Sequence, residues 1–163
     1  MVSQHFTWFE QTKRMETRRH IHEETLEVSP ERAFEILITP SAIRSWWGAS
    51  RAIVLAQNNG FWAATWGEDE NAPDYISAFT IKEFEPPRRI LLTDGKYFAK
   101  AGQPSFELDL TTEFTIERRL SGCLLRVVQD GFPVHEIADE FYNACEIGWK
   151  NTFEGIRKYL MEK

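Results

Sequence analysis

The chain has 163 residues, 42% hydrophobic and 13% aromatic, a length that fits one domain with a substantial core. Its formal charge of −6 argues against a protein held to nucleic acid through phosphates, and the cluster Lys13, Arg14, Arg18 and Arg19 reads as a solvated face. No stretch approaches the ~20 apolar residues of a membrane span and none resembles a signal peptide, while Cys123 and Cys145 lack metal-ligand spacing; a cytoplasmic protein with two reduced thiols is expected.

Residues 1–16 are aperiodic and carry Phe6, Trp8 and Phe9, so they read as a leader or arm, flexible or packed on its own domain or on a second copy of the chain. A homodimer is one option this leaves. Residues 17–163 are expected to form the single domain. About residues 18–28 a strand is expected, with His20, His22, Glu24, Leu26 and Val28 on one face. The two histidines are two residues apart, but with no third ligand visible they read as the exposed face of an end strand, and no metal is expected. Ser29-Pro30 starts a helix: Ser29 can cap it and Pro30 fits the first turn. Ala33, Phe34, Leu37 and Ile38 form its apolar face, Thr39-Pro40 ends it, and a second short helix runs to Trp47 and stops at Gly48.

From Ala52 the period becomes two. Residues 51–57 and 61–66 form a hairpin around Asn58-Asn59-Gly60, with Trp62, Ala64 and Trp66 on one face of the returning strand. Strands follow at 75–84 and, after Pro86-Pro87, at 88–93. Residues 94–105, with Gly95, Gly102 and Pro104, read as a long loop whose Tyr97 and Phe98 could fold over an opening. Strands at 106–119 and 123–130 complete the set. The segment 133–163 has the clearest period: Ala138, Phe141, Cys145, Trp149, Phe153, Ile156 and Leu160 recur at steps of three and four, one stripe of a helix that must be buried.

The order predicts an α+β fold, with an antiparallel sheet of about six or seven strands curled around a long C-terminal helix and two short helices after the first strand. Large aromatics on the sheet and on the helix stripe can then meet inside, as a thick core or as the wall of a cavity. The candidate pocket residues are Trp46, Trp47, Trp62, Trp66, Phe79, Phe114, Phe132, His135, Phe141, Cys145 and Trp149. Phe79 shares an alternating face with Ser77 and Ile81, and Phe114 with Thr112 and Ile116. His135, near Glu136 and Asp139 at the start of the long helix, could bond a ligand or act as acid or base, against the plainer reading of a helix-start histidine facing solvent. Arg126 and Glu113 read as outward-facing. No nucleophile elbow, phosphate loop or HExxH occurs, so no catalytic residue or cofactor is assigned.

The run Val28-Ser29-Pro30-Glu31-Arg32-Ala33-Phe34, with Thr39-Pro40 and Trp46-Trp47-Gly48, resembles the opening of the START-like (SRPBCC) superfamily, in the branch related to the C-terminal domain of the activator of Hsp90 ATPase. Phe84-Glu85-Pro86-Pro87-Arg88-Arg89-Ile90 resembles that branch's strand-turn-strand. Gly148-Trp149-Lys150, Phe153, Ile156, Tyr159 and Leu160 resemble its terminal helix. The resemblance implies a helix-grip fold, often with a hydrophobic pocket. Its members include lipid and hormone carriers, cyclases and antibiotic self-resistance proteins. The leading expectation is therefore the binding of a hydrophobic or aromatic small molecule. The alternatives are a module that contacts an Hsp90-like chaperone, and a cyclase or hydrolase acting on a polyketide-like compound. The leader, the loop at 94–105 and the lack of the eukaryotic activator's separate N-terminal domain are departures from that branch.

Overall fold

The computed structural model describes residues 16–162. The leader expected at 1–16 thus lies outside the described residues except for Glu16, whose carbonyl accepts the Val134 N–H at 2.9 Å. β1 (Thr17–Leu26) is followed by α1 (Pro30–Ile38) and α2 (Pro40–Trp47). The start of α1 is set locally: Ser29 Oγ accepts the Arg32 N–H at 3.2 Å, and Pro30 sits in the first turn, where a missing N–H costs no helical bond. Gly48, with φ of 67°, stops α2. β2 (Arg51–Leu55), β3 (Gly60–Trp66), β4 (Tyr75–Glu85), β5 (Arg89–Ala99), β6 (Thr111–Arg119) and β7 (Gly122–Pro133) then lead through a 3-10 turn at Glu136–Ala138 into α3 (Asp139–Met161).

The seven strands form one antiparallel sheet in the order β1-β7-β6-β5-β4-β3-β2, so the first strand of the chain is zipped to the last. Its inner face follows from the pleat: Thr112, Phe114 and Ile116 of β6, and Cys123, Leu125, Val127 and Gln129 of β7, alternate inward and are buried. α3 lies against this face, with the ring of Trp149 edge-on to Phe114 at 5.9 Å. α1 and α2 close one end of the core through Ile36, Leu37 and Ile43, each fully buried and worth about 2 kcal/mol of apolar transfer. α2 and α3 approach so closely that a Cβ added at Gly155 would lie 2.2 Å from the Trp46 carbonyl oxygen.

Three expectations need correction. Residues 94–99 are strand, not loop: Ala78 pairs with Lys96 and Thr80 with Thr93, so Asp94 (φ 54°) and Gly95 form a bulge opposite Phe79 and the ladder resumes beyond them. The irregular segment is 100–110, and β6 begins at Thr111 rather than at Phe106. α3 begins at Asp139, because β7 continues to Pro133 and His135 caps the intervening turn, its Nδ1 accepting the Ile137 N–H at 3.1 Å.

His20 and His22 are also misplaced by the sequence reading, since the β1 face that carries them is covered by the first turns of α3. His20 is buried, stacked on the Tyr142 ring at 3.9 Å, with its Nε2–H donated to the Tyr142 carbonyl at 2.8 Å. The His22 Nε2 is buried with no hydrogen-bond partner among the described residues. The Tyr142 hydroxyl donates to the Arg19 carbonyl at 3.1 Å, and Arg18 pairs with Asp139, so β1 and the start of α3 are tied at several points.

Candidate functional site: an aromatic cavity under the first half of the long helix

The site arises where the sheet stops being continuous. β5 pairs with β6 only over Arg89–Leu92 against Thr112–Thr115. Beyond Leu92, β5 stays with β4 alone, and segment 100–110 spans the gap with Leu108 and Leu110 facing it. The first half of α3 lies over the opening. Enclosed between them is a cavity of about 450 Å³ that opens to solvent and has mostly apolar walls.

Each wall is aromatic. Trp47 of α2, Trp62 and Trp66 of β3 and Phe79 of β4 form one side. The indoles cluster around Trp47, with ring centroids 5.2 Å to Trp62 and 4.9 Å to Trp66. Two of the three N–H groups point into backbone: Trp62 Nε1 donates to the Leu37 carbonyl at 2.9 Å and Trp66 Nε1 to the Trp47 carbonyl at 3.3 Å. Trp62 and Trp66 therefore offer the cavity ring faces and no spare donor. Phe79 fits because Gly95 has no side chain; a Cβ there would lie 2.7 Å from the Phe79 ring. Phe114 of β6 and Phe141, Cys145 and Trp149 of α3 form the opposite side. Near Phe141, Tyr97 meets that ring at 6.0 Å and stacks with Tyr75 at 6.3 Å.

Three polar side chains interrupt the apolar surface in a chain. Trp149 Nε1 donates to Gln129 Oε1 at 2.9 Å, and Gln129 Nε2 donates to Thr112 Oγ1 at 3.2 Å. All three residues are buried and line the cavity. Lys96 is the one charged residue of the wall. Burial pushes the Cys145 thiol up to about 11, so at neutral pH it stays a thiol and a poor nucleophile. The Tyr97 phenol is raised as well, by burial first and then by Tyr75 and Cys145. The wall has no carboxylate and no imidazole. Among the described residues no group of three His, Cys, Asp or Glu is placed to hold a metal ion.

Of the eleven candidate residues, Trp46, Phe132 and His135 do not line this cavity. Trp46 points into the core beneath α1, its Nε1 donating to the Ile36 carbonyl at 2.9 Å. Phe132 is fully buried behind the wall, between His20 at 5.0 Å and Tyr142 at 5.2 Å. His135 is exposed and occupied in capping. Arg126 and Glu113 face outward, pairing with Glu23 and Arg89. The sequence reading missed Thr112 and Gln129 as partners of Trp149, and also Lys96 and Tyr75, while Tyr97, which it set beside an opening, does line the cavity. Gln129 had a signal: it continues the inward series Cys123, Leu125, Val127, where a polar residue needs a buried partner.

A seven-stranded antiparallel sheet that grips a long C-terminal helix and leaves an aromatic cavity in the grip defines a helix-grip protein. The chain belongs to the Activator of Hsp90 ATPase homolog 1-like family, whose model matches residues 27–161. Solved structures of similar fold include a protein from Mesorhizobium loti, 19% identical, covering 90% of this chain and 98% of its own, with a TM-score of 0.73. Others are a putative uncharacterized protein from Rhizobium leguminosarum (15% identical, 91% and 97% covered, TM-score 0.71) and a solution structure from Cytophaga hutchinsonii (18%, 91% and 97%, 0.69). At these identities the likeness is one of fold. No curated protein matches the sequence.

Proposed function

We propose that this protein binds a hydrophobic, aromatic small molecule in the cavity between the sheet and α3. The observation that carries the reading is the cavity itself: about 450 Å³ of space walled mainly by aromatic rings, with the indole N–H groups of Trp62, Trp66 and Trp149 already bonded within the protein. Such a wall rewards a flat apolar ligand and penalises a polar one. The free thiols of Cys123 and Cys145 fit a reducing, cytoplasmic setting.

The test uses Gly148, which lines the cavity from α3 and where an added Cβ meets nothing within 4 Å. Gly148→Phe should fill the space without straining the helix. The neutral fluorophore N-phenyl-1-naphthylamine should bind the native protein and bind the variant at least about tenfold more weakly. Equal binding to both, or none to either, would remove the cavity from the account. Native mass spectrometry of protein drawn from its own host would then identify the retained compound.

A second reading, a module acting on an Hsp90-like chaperone, has the family description in its favour. Recovery of no such chaperone with the tagged protein would count against it. The enzymatic alternative rested on His135, which lies outside the cavity and is engaged in a cap.

A further inference from the structure

The polar trio on the cavity wall has a fixed direction. An indole N–H can only donate, so Trp149 requires the oxygen of the Gln129 amide to face it, at 2.9 Å. That orientation leaves the amide nitrogen on the other side, and nitrogen can only donate, which it does to Thr112 Oγ1 at 3.2 Å. The Thr112 oxygen is thereby used as an acceptor, and its own O–H has no acceptor among the described residues. The residue is 3% exposed, so bulk water is a poor alternative partner. One hydroxyl hydrogen is thus left to be satisfied by whatever occupies the cavity.

We infer that the cavity selects an aromatic ligand bearing a carbonyl-type oxygen, which accepts a hydrogen bond from Thr112 Oγ1 while the rest of the frame lies among the rings. The inference rests on the binding reading above and narrows it to aromatic ketones, quinones and related carbonyl compounds. Two features support it. The indoles of Trp62 and Trp66 contribute no competing donor, because they are committed to backbone carbonyls. Nor does the wall carry a carboxylate that would repel a carbonyl oxygen or call for a cationic ligand. A ligand with no acceptor would leave the Thr112 hydrogen unsatisfied in an apolar enclosure, and a hydrogen bond made there is a source of discrimination between molecules of one shape.

The pair 9-fluorenone and fluorene tests this, since the two share a flat three-ring frame and differ by C=O against CH₂. The readout is the ratio of their dissociation constants, by quenching of the cavity tryptophans or by calorimetry, in the native protein, Thr112→Val and Thr112→Ser. Fluorenone should be preferred by the native protein. The preference should fall about fivefold in Thr112→Val, which keeps the shape and removes the hydroxyl, and should return in Thr112→Ser. If both compounds bind and the ratio is the same in all three proteins, the inference is overturned and the binding reading stands. A variant that weakens both compounds equally also overturns it, by showing a structural role for the hydroxyl. If neither compound binds the native protein, the binding reading fails and takes the inference with it.

Discussion

From Phe153 onward, the stripe of α3 is core: Phe153 and Ile156 are buried away from the cavity, Trp149 and Thr152 are buried at its edge, and Gly155 lets α2 rest on the helix backbone. From Asp139 to Gly148 the same stripe is wall: Phe141 and Cys145 are half-buried, and Gly148 faces open space. The residue types and the period do not change between the halves. What changes is the partner, a closed layer of α1 and α2 at one end and a parted sheet at the other. An amphipathic pattern states that a face must be covered, but not whether protein or ligand covers it.

Truncation of one phenylalanine in each half should show the largest contrast. Phe153→Ala should cost about 3–5 kcal/mol in urea unfolding, the usual result of deleting a fully buried ring. Phe141→Ala should cost about 1 kcal/mol, because that ring already borders space and water. Similar losses at both positions would erase the distinction between core and wall.

The two glycines sharpen the comparison with opposite signs. Gly155→Ala should destabilise by about 2 kcal/mol, since its new methyl would meet backbone that must move. Gly148→Ala should stabilise by about 1 kcal/mol, because alanine favours the helix and nothing crowds it. Thermal unfolding of both variants would show it, and a loss at Gly148 would mean that α3 is packed there after all.

A smaller effect is expected at the junction of the open half with β1. Burial holds the His20 imidazole below its ordinary value against the opposing pull of its bond to Tyr142 and of Glu146, with Arg18 adding to the lowering. His22 is lowered by burial, then by His20 and Lys150, against Glu146. The unfolded chain therefore binds more protons once pH drops below about 6.5, so their contribution is complete above that value and is lost as pH falls through the folded-state values. Urea midpoints measured from pH 7.5 down to 5 should decline, and decline less in His22→Leu. An unchanged slope in the variant would remove His22 as a cause.

Much of the fold was legible because local chemistry and period agree: Ser29-Pro30 caps α1, Gly48 stops α2, and Trp62, Phe114 and Trp149 each fall on an inward position. The bulge at Asp94-Gly95 was not, because those two residues in sequence look like a turn, and only pairing with β4 carries the strand through them to Ala99. The cavity was half legible. Eight of the eleven candidate residues surround it, since aromatics at inward positions are readable. Its polar chain was not, because Thr112, Gln129 and Trp149 are far apart in sequence and acquire their roles from one another. His135 was legible in its plainer reading, an exposed histidine ahead of the long helix, and its place among the pocket candidates was not, because its Nδ1 caps a turn two residues away.

The tryptophan cluster has an optical consequence. Trp46, Trp47, Trp62 and Trp66 are linked through Trp47, with centroids about 5 Å apart at fixed and differing tilts. Chromophores so close share their excitations, and the resulting near-ultraviolet circular dichroism depends on their mutual angles. Three of these rings are also cavity wall. A guest in the proposed site that tilted one ring would therefore change the signal of several, an optical readout of the binding proposal with no label attached.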